Sequence, residues 1–70
     1  MERQYVTSSN IASIGYDATS MVLEIEFLNG SIYQYLDVPE VVYEGLMSAE
    51  SHGKYLNEYI KKGGYRYSKI

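Results

Sequence analysis

The clearest pattern in the chain runs from Met21 to Phe27. Met21, Leu23, Ile25 and Phe27 fall on one face, and Val22, Glu24 and Glu26 on the other. Strict alternation of this kind marks a strand with one face buried. Asn29-Gly30 follows, a dipeptide suited to a hairpin turn, and Ser31–Val38 reads as the partner strand. Upstream, Ile11, Ile14 and Tyr16 predict a first short strand, closed by a turn region over Gly15–Ser20. Residues 1–9 are polar and are expected to be loosely held.

The hairpin admits two registers. A two-residue turn at Asn29-Gly30 sets Phe27 opposite Ile32 and Ile25 opposite Gln34, leaving Tyr33 and Tyr35 outside beside Glu24 and Glu26. A three-residue loop, Leu28-Asn29-Gly30 with Gly30 left-handed at a bulge, shifts the pairing by one. It sets Ile25 opposite Tyr33 and Leu23 opposite Tyr35. The second is preferred because it keeps Gln34 out of the core. It also places Ile32 and Leu36 on the outer face, in need of a helix, a tail or a partner to cover them.

Pro39 ends the strand and suits the first position of a helix, with Glu40 favourable at its N-terminus. Val42, Leu46 and Ala49 form its apolar stripe, with Met47 at the edge. Gly45 costs a helix about 1 kcal/mol relative to alanine, so close packing is expected there. Ser51 is placed to cap a second helix over residues 52–62, on which Tyr55/Tyr59 and Leu56/Ile60 are i,i+4 pairs. Lys61 and Lys62 fall in its last turn, and Gly63-Gly64 supplies the stop. The segment 63–70 is a C-terminal arm whose alternation, Tyr65 to Ile70, predicts either a short edge strand or an extended tail. The fold class is α+β: a three-stranded antiparallel β-meander followed by two helices packed on one face.

Seventy residues make one domain, spanning 1–70, with a small core. Chains of this size often need a disulfide, a metal or a second subunit to hold them. Cysteine is absent, so disulfides, thiol chemistry and cysteine-based zinc sites are excluded. His52 is the only histidine, which removes two-histidine metal motifs. No cofactor is expected, and self-association remains as the available staple. The N-terminus has no apolar leader and no stretch approaches the roughly 20 apolar residues of a membrane span. A cytoplasmic protein without a membrane partner is the expectation. Nine tyrosines against one phenylalanine and no tryptophan point to a half-buried surface rather than a deep oily core.

Charge changes the picture further. The formal net charge is −3, but residues 1–50 carry −7 and residues 51–70 carry +4. The average argues against a general nucleic-acid binder, and the split points to a basic face at the C-terminal end.

With these elements placed, the chain resembles the KTSC domain family. The resemblance rests on Ser8-Ser9-Asn10-Ile11, Gly15-Tyr16-Asp17, Leu23-x-Ile25-x-Phe27-x-Asn29-Gly30, Tyr33-x-Tyr35-x-x-Val38-Pro39 and Ser51-x-Gly53-x-Tyr55-x-Asn57. These pieces occur in this order from about Val6 to Tyr59. The family takes its name from its occurrence at the C-terminus of some lysyl-tRNA synthetases and is found also as short stand-alone bacterial proteins. RNA binding has been suggested for it. The resemblance therefore implies the fold and its boundaries, while the family's function is not established.

Candidate chemistry is sparse. Glu24 and Glu26 share a strand face at the spacing of a carboxylate pair, but alternation alone accounts for them as a solvated face. No nucleophile elbow and no phosphate-binding glycine loop is present, so an enzyme is not expected. Tyr33-x-Tyr35 resembles a base-stacking platform, though in the preferred register both tyrosines pack under the helices. Ser51, Gly53 and Lys54 open the second helix, where free N–H groups favour anions; the reading preferred for them is a cap followed by a glycine that lets the two helices turn tightly. His52 is expected to be exposed. The best candidate is the basic and aromatic segment Lys54, Tyr55, Tyr59, Lys61, Lys62, Tyr65, Arg66, Tyr67 and Lys69. It interleaves rings and cations as a single-stranded nucleic acid requires, and it reads equally as a helix with an apolar face and cations at its C-terminal carbonyls. The leading expectation is a non-enzymatic accessory module contacting RNA through this segment. The alternative is a protein-interaction module or a homo-oligomer, pairing through Ile32 and Leu36 or the tail.

Overall fold

The alternating segment forms a strand, and the sheet extends from it on both sides. The computed structural model describes residues Met1–Ile70. In chain order it contains β1 (Arg3–Tyr5), β2 (Ile11–Asp17), β3 (Val22–Phe27), β4 (Ile32–Tyr35), α1 (Glu40–Ser48), α2 (His52–Tyr55), a π-helical continuation (Leu56–Lys61) and β5 (Tyr67–Lys69). The sheet has five antiparallel strands in the order β1-β2-β3-β4-β5. The expected three-stranded meander is therefore only its centre. Of the N-terminal residues expected to be loose, Arg3–Tyr5 pair with Gly15, Ile14 and Ser13. The tail takes the edge-strand option, with Tyr67 opposite Tyr35 and Lys69 opposite Tyr33.

Strand boundaries shift where local backbone geometry overrides the hydrophobic pattern. β2 runs through Gly15 to Asp17 instead of turning at Gly15. A bulge between Ile11 and Ser13 lets Ile11 and Ile14, three residues apart, share the core face. Met21 is left-handed, with φ 57°, and exposed, so β3 begins at Val22. The hairpin takes the three-residue loop. Gly30 has φ 91°, Phe27 N–H donates to Ser31 O at 2.8 Å, and Ile25 and Leu23 face Tyr33 and Tyr35.

Pro39 is the extended cap of α1 (ψ 148°), one position ahead of where the sequence places it. Gly45 packs against the Tyr55 ring, which explains a glycine in mid-helix. Ser51 caps α2, its hydroxyl accepting from Lys54 N–H at 3.2 Å. The second helix is α-helical for one turn only and then widens, with Lys62 N–H reaching back to Asn57 O. Its i,i+4 pattern does not separate the two geometries. Four residues on lie about 40° ahead in an α-helix and about as far behind in a π-helix of roughly 4.4 residues per turn.

Leu46, Leu56 and Ile60 close onto Ile11, Ile14, Leu23, Ile25, Tyr35 and Val38, forming one core between the helices and one face of the sheet. His52 is half-buried, not exposed. Its Nδ1–H donates to Leu46 O at 2.8 Å, tying the start of α2 to the end of α1.

Candidate functional site

The helices leave one end of the sheet open. Beside the tip of the β3–β4 hairpin lies a cleft of about 660 Å³, bounded by Asn10, the hairpin loop, Lys61 and β5. Its floor is aromatic. Phe27 and Tyr33 meet edge to face with centroids 5.8 Å apart, and Tyr67 lies 6.0 Å from Tyr33 and 5.8 Å from Tyr35. Lys61 holds its ammonium 5.1 Å from the centre of the Phe27 ring. Strand pairing assembles this row: alternation puts Phe27, Tyr33 and Tyr35 on the helix-facing side, and docking of β5 adds Tyr67.

Tyr35 is 4% exposed, and burial pushes its phenol up, with Tyr33 and Tyr67 adding to the shift. The rim is polar. Asn29 Oδ1 accepts from Ser31 N–H at 3.0 Å, and Asn10 Oδ1 accepts from the Ser8 hydroxyl at 3.1 Å. Leu28 N–H donates to Asn10 O at 2.9 Å, which locks the hairpin tip to the 9–10 segment.

The residues expected to form one basic face are dispersed. Lys61 lines the cleft. Lys62 pairs with Glu58 at 3.7 Å, and Arg66 with Asp37 at 2.9 Å. Ser51 and Lys54 lie in a separate shallow depression beside Tyr55 and Tyr59. The space above Gly53 is filled by the Asn10 side chain, so that glycine serves packing between segments. Tyr65 is half-buried against Gly63 and the core. Phe27, Asn10 and Asn29 complete the cleft without having been singled out as ligand-facing, because they become neighbours of Lys61 only through the fold.

The carboxylate pair is not a solvated face. Glu24 is 7% exposed. It forms an ion pair with Arg3 and accepts from Gln34 Nε2 at 2.8 Å. Glu26 accepts from Ser13 Oγ at 2.8 Å, and Arg3 Nε donates to that same hydroxyl at 3.0 Å. Burial pushes the Glu24 carboxyl up, but the hydrogen bonds from Gln34 and Arg3 and the Arg3 charge outweigh it and hold it below its ordinary value. These contacts fasten β1 to the sheet. No three His, Cys, Asp or Glu side chains converge as metal ligands, and no helix is long and apolar enough to cross a membrane.

The KTSC domain family model matches residues 7–68. The chain belongs to the KTSC domain family. The crystal structure of a KTSC domain protein from Yersinia pestis is 47% identical, with a TM-score of 0.90, covering 99% of this chain and 96% of that one. An uncharacterized protein of Stutzerimonas stutzeri is 40% identical over 70 residues, covering 100% of this chain and 99% of its own length. A lysine–tRNA ligase of Nostoc sp. is 40% identical over 62 residues, which cover 89% of this chain and 11% of the ligase. Among the motifs that carry the family likeness, Asn10 packs on Gly53, and Leu28 N–H, inside the hairpin motif, bonds to Asn10 O.

Proposed function

We propose that this KTSC domain is a non-enzymatic accessory module that contacts single-stranded RNA through the end of its second helix and its C-terminal strand. The observation that carries the reading is Lys61 at the mouth of a cleft floored by Phe27, Tyr33, Tyr35 and Tyr67. Stacked bases and a phosphate charge need rings beside a cation. Lys54, Lys61 and Lys69 form no ion pair, and Lys69 lies opposite Tyr33 in the sheet register. The pairs made by Lys62 and Arg66 are well exposed, so their cations are cheaply redirected to phosphate. Related segments in lysine–tRNA ligases, proteins named for a tRNA substrate, add support.

The test is a titration with a short single-stranded RNA at low salt, comparing the wild type with a Lys61→Glu/Lys62→Glu variant. A footprint of about three phosphates gives a log–log salt slope of roughly −2. The double variant should lose binding while keeping its fold, apart from a small loss at the helix C-terminus. Equal affinity in both proteins, or no binding by the wild type, rejects this reading.

A second reading, self-association, is favoured by the outer face of the sheet. Ile32 and Leu36 are only half-buried there, and Ile70, whose N–H donates to Ile32 O, is 68% exposed beside the open edge of β5.

A further inference from the structure

Of the tyrosines that floor the cleft, Tyr35 is the most deeply buried, and the fold does not use its hydroxyl. Tyr16 donates its hydroxyl to Val38 O at 2.5 Å. Tyr35, more deeply buried, has no hydrogen-bond partner for its hydroxyl within the chain. No side-chain N or O that is fully shut from solvent lacks a partner. The Tyr35 hydroxyl therefore keeps an accessible edge, and the cleft is where Tyr35 meets it.

Three further features narrow what would meet that hydroxyl. The aromatic floor favours a flat ring, and about 660 Å³ suits a ring with its sugar rather than a folded partner. The rim offers donors: the Asn10 and Asn29 amide oxygens are engaged by Ser8 and Ser31, which leaves their NH₂ groups free. Lys61 is the only charged side chain lining the cleft, in a chain where acids outnumber bases nine to six. A donor-rich, cationic, aromatic cleft fits an acceptor-rich base carrying one phosphate.

We infer that the cleft is a one-nucleotide site, taking a single unpaired base with a carbonyl-rich edge, such as uracil. The ring lies against Tyr33 and Tyr67. The base carbonyls meet the Asn29 and Asn10 amides and the Tyr35 hydroxyl, and the phosphate lies on Lys61. This deepens the RNA reading above and rests on it.

The experiment compares an oligouridine hexamer with an abasic strand of the same length at low salt, using the full chain. Stacking of one base is worth roughly a tenfold change in affinity. The wild type should therefore bind oligouridine about tenfold more tightly than the abasic strand. Tyr67→Ala, at a ring 65% exposed, should remove that difference without lowering the melting temperature appreciably. Tyr35→Phe should narrow it at an unchanged melting temperature. Uridine monophosphate should displace the hexamer at millimolar concentration, and failure to do so overturns the one-nucleotide site. Equal binding of both strands, with Lys61→Glu/Lys62→Glu still abolishing it, overturns the base site and leaves RNA contact standing. No binding of either strand by the wild type overturns both.

Discussion

Two tyrosines packed on the same core separate what a ring contributes from what a hydroxyl contributes. Tyr16 stacks on Tyr43 with centroids 4.7 Å apart and gives its hydroxyl to Val38 O. Tyr35 contributes only its ring to the fold. Tyr16→Phe should therefore cost about 1 kcal/mol by urea denaturation, since it leaves a carbonyl unpaired, while Tyr35→Phe should fall within about 0.5 kcal/mol of wild type. Tyr35→Ala empties a core site and should cost on the order of 3 kcal/mol. Equal losses for the two phenylalanine variants would show that the Tyr35 hydroxyl has a structural partner after all. Glu24 adds a dependence on pH. Its folded pKa lies below its unfolded value, near 4.3 for a free glutamate. The unfolded chain therefore binds the extra proton, and stability rises with pH between the two values. The contribution is complete above the unfolded pKa and disappears as pH falls through the folded one. Glu24→Gln should converge with wild type in strong acid and fall progressively below it up to about pH 5. A constant offset across that range would rule out the charged Arg3 contact as the source.

At the scale of elements, β1 shows how a strand can form without a hydrophobic pattern. Arg3-Gln4-Tyr5 has no apolar alternation, and two other features hold it: the Arg3 ion pair with Glu24 and the close approach that Gly15 permits. A Cβ at Gly15 would lie 2.7 Å from the Glu2 carbonyl oxygen and 2.9 Å from Arg3 Cγ. Gly15→Ala should push β1 away and cost about 1–3 kcal/mol. The amide of Val6, which donates to Ala12 O at 3.1 Å, should then exchange faster, while β3 and β4 keep their protection. Unchanged exchange at Val6 would mean that the contact does not seat the strand. The same contrast explains what could be read from sequence. β3, β4 and their register were legible because burial imposes alternation and excludes Gln34 from the core. β1 and β5 were less so, because edge strands are held by backbone pairing and a few side chains. Lys61 was legible as part of a basic cluster, but its cleft was not. Phe27 and Tyr67 come to line one cleft only once β5 docks on β4, and no local pattern records that event.

For the whole molecule, the question is whether a core this small stands alone. Only 12 of 70 residues are buried, and the sheet ends in two open edges, β1 and β5. Exposed edges invite pairing with another chain unless something blunts them. β5 is the better candidate for such pairing. It is flanked on the outer face by Ile32, Leu36 and Ile70, whereas β1 is occupied there by the Arg3 network. If a second copy adds to β5, association stabilises the folded state by mass action, and the melting temperature rises with protein concentration. Ile70→Lys should remove that dependence: it places a charge on the joining face and leaves the intramolecular bond from its N–H to Ile32 O in place. Such an assembly would also set a second chain beside Tyr67, on the open side of the aromatic row, so RNA affinity should then change with protein concentration. The check is a series of thermal melts over a hundredfold range of concentration, with mass in solution measured at each end. A melt independent of concentration, with a monomer mass throughout, would end the self-association reading and leave Ile32, Leu36 and Ile70 to a different protein.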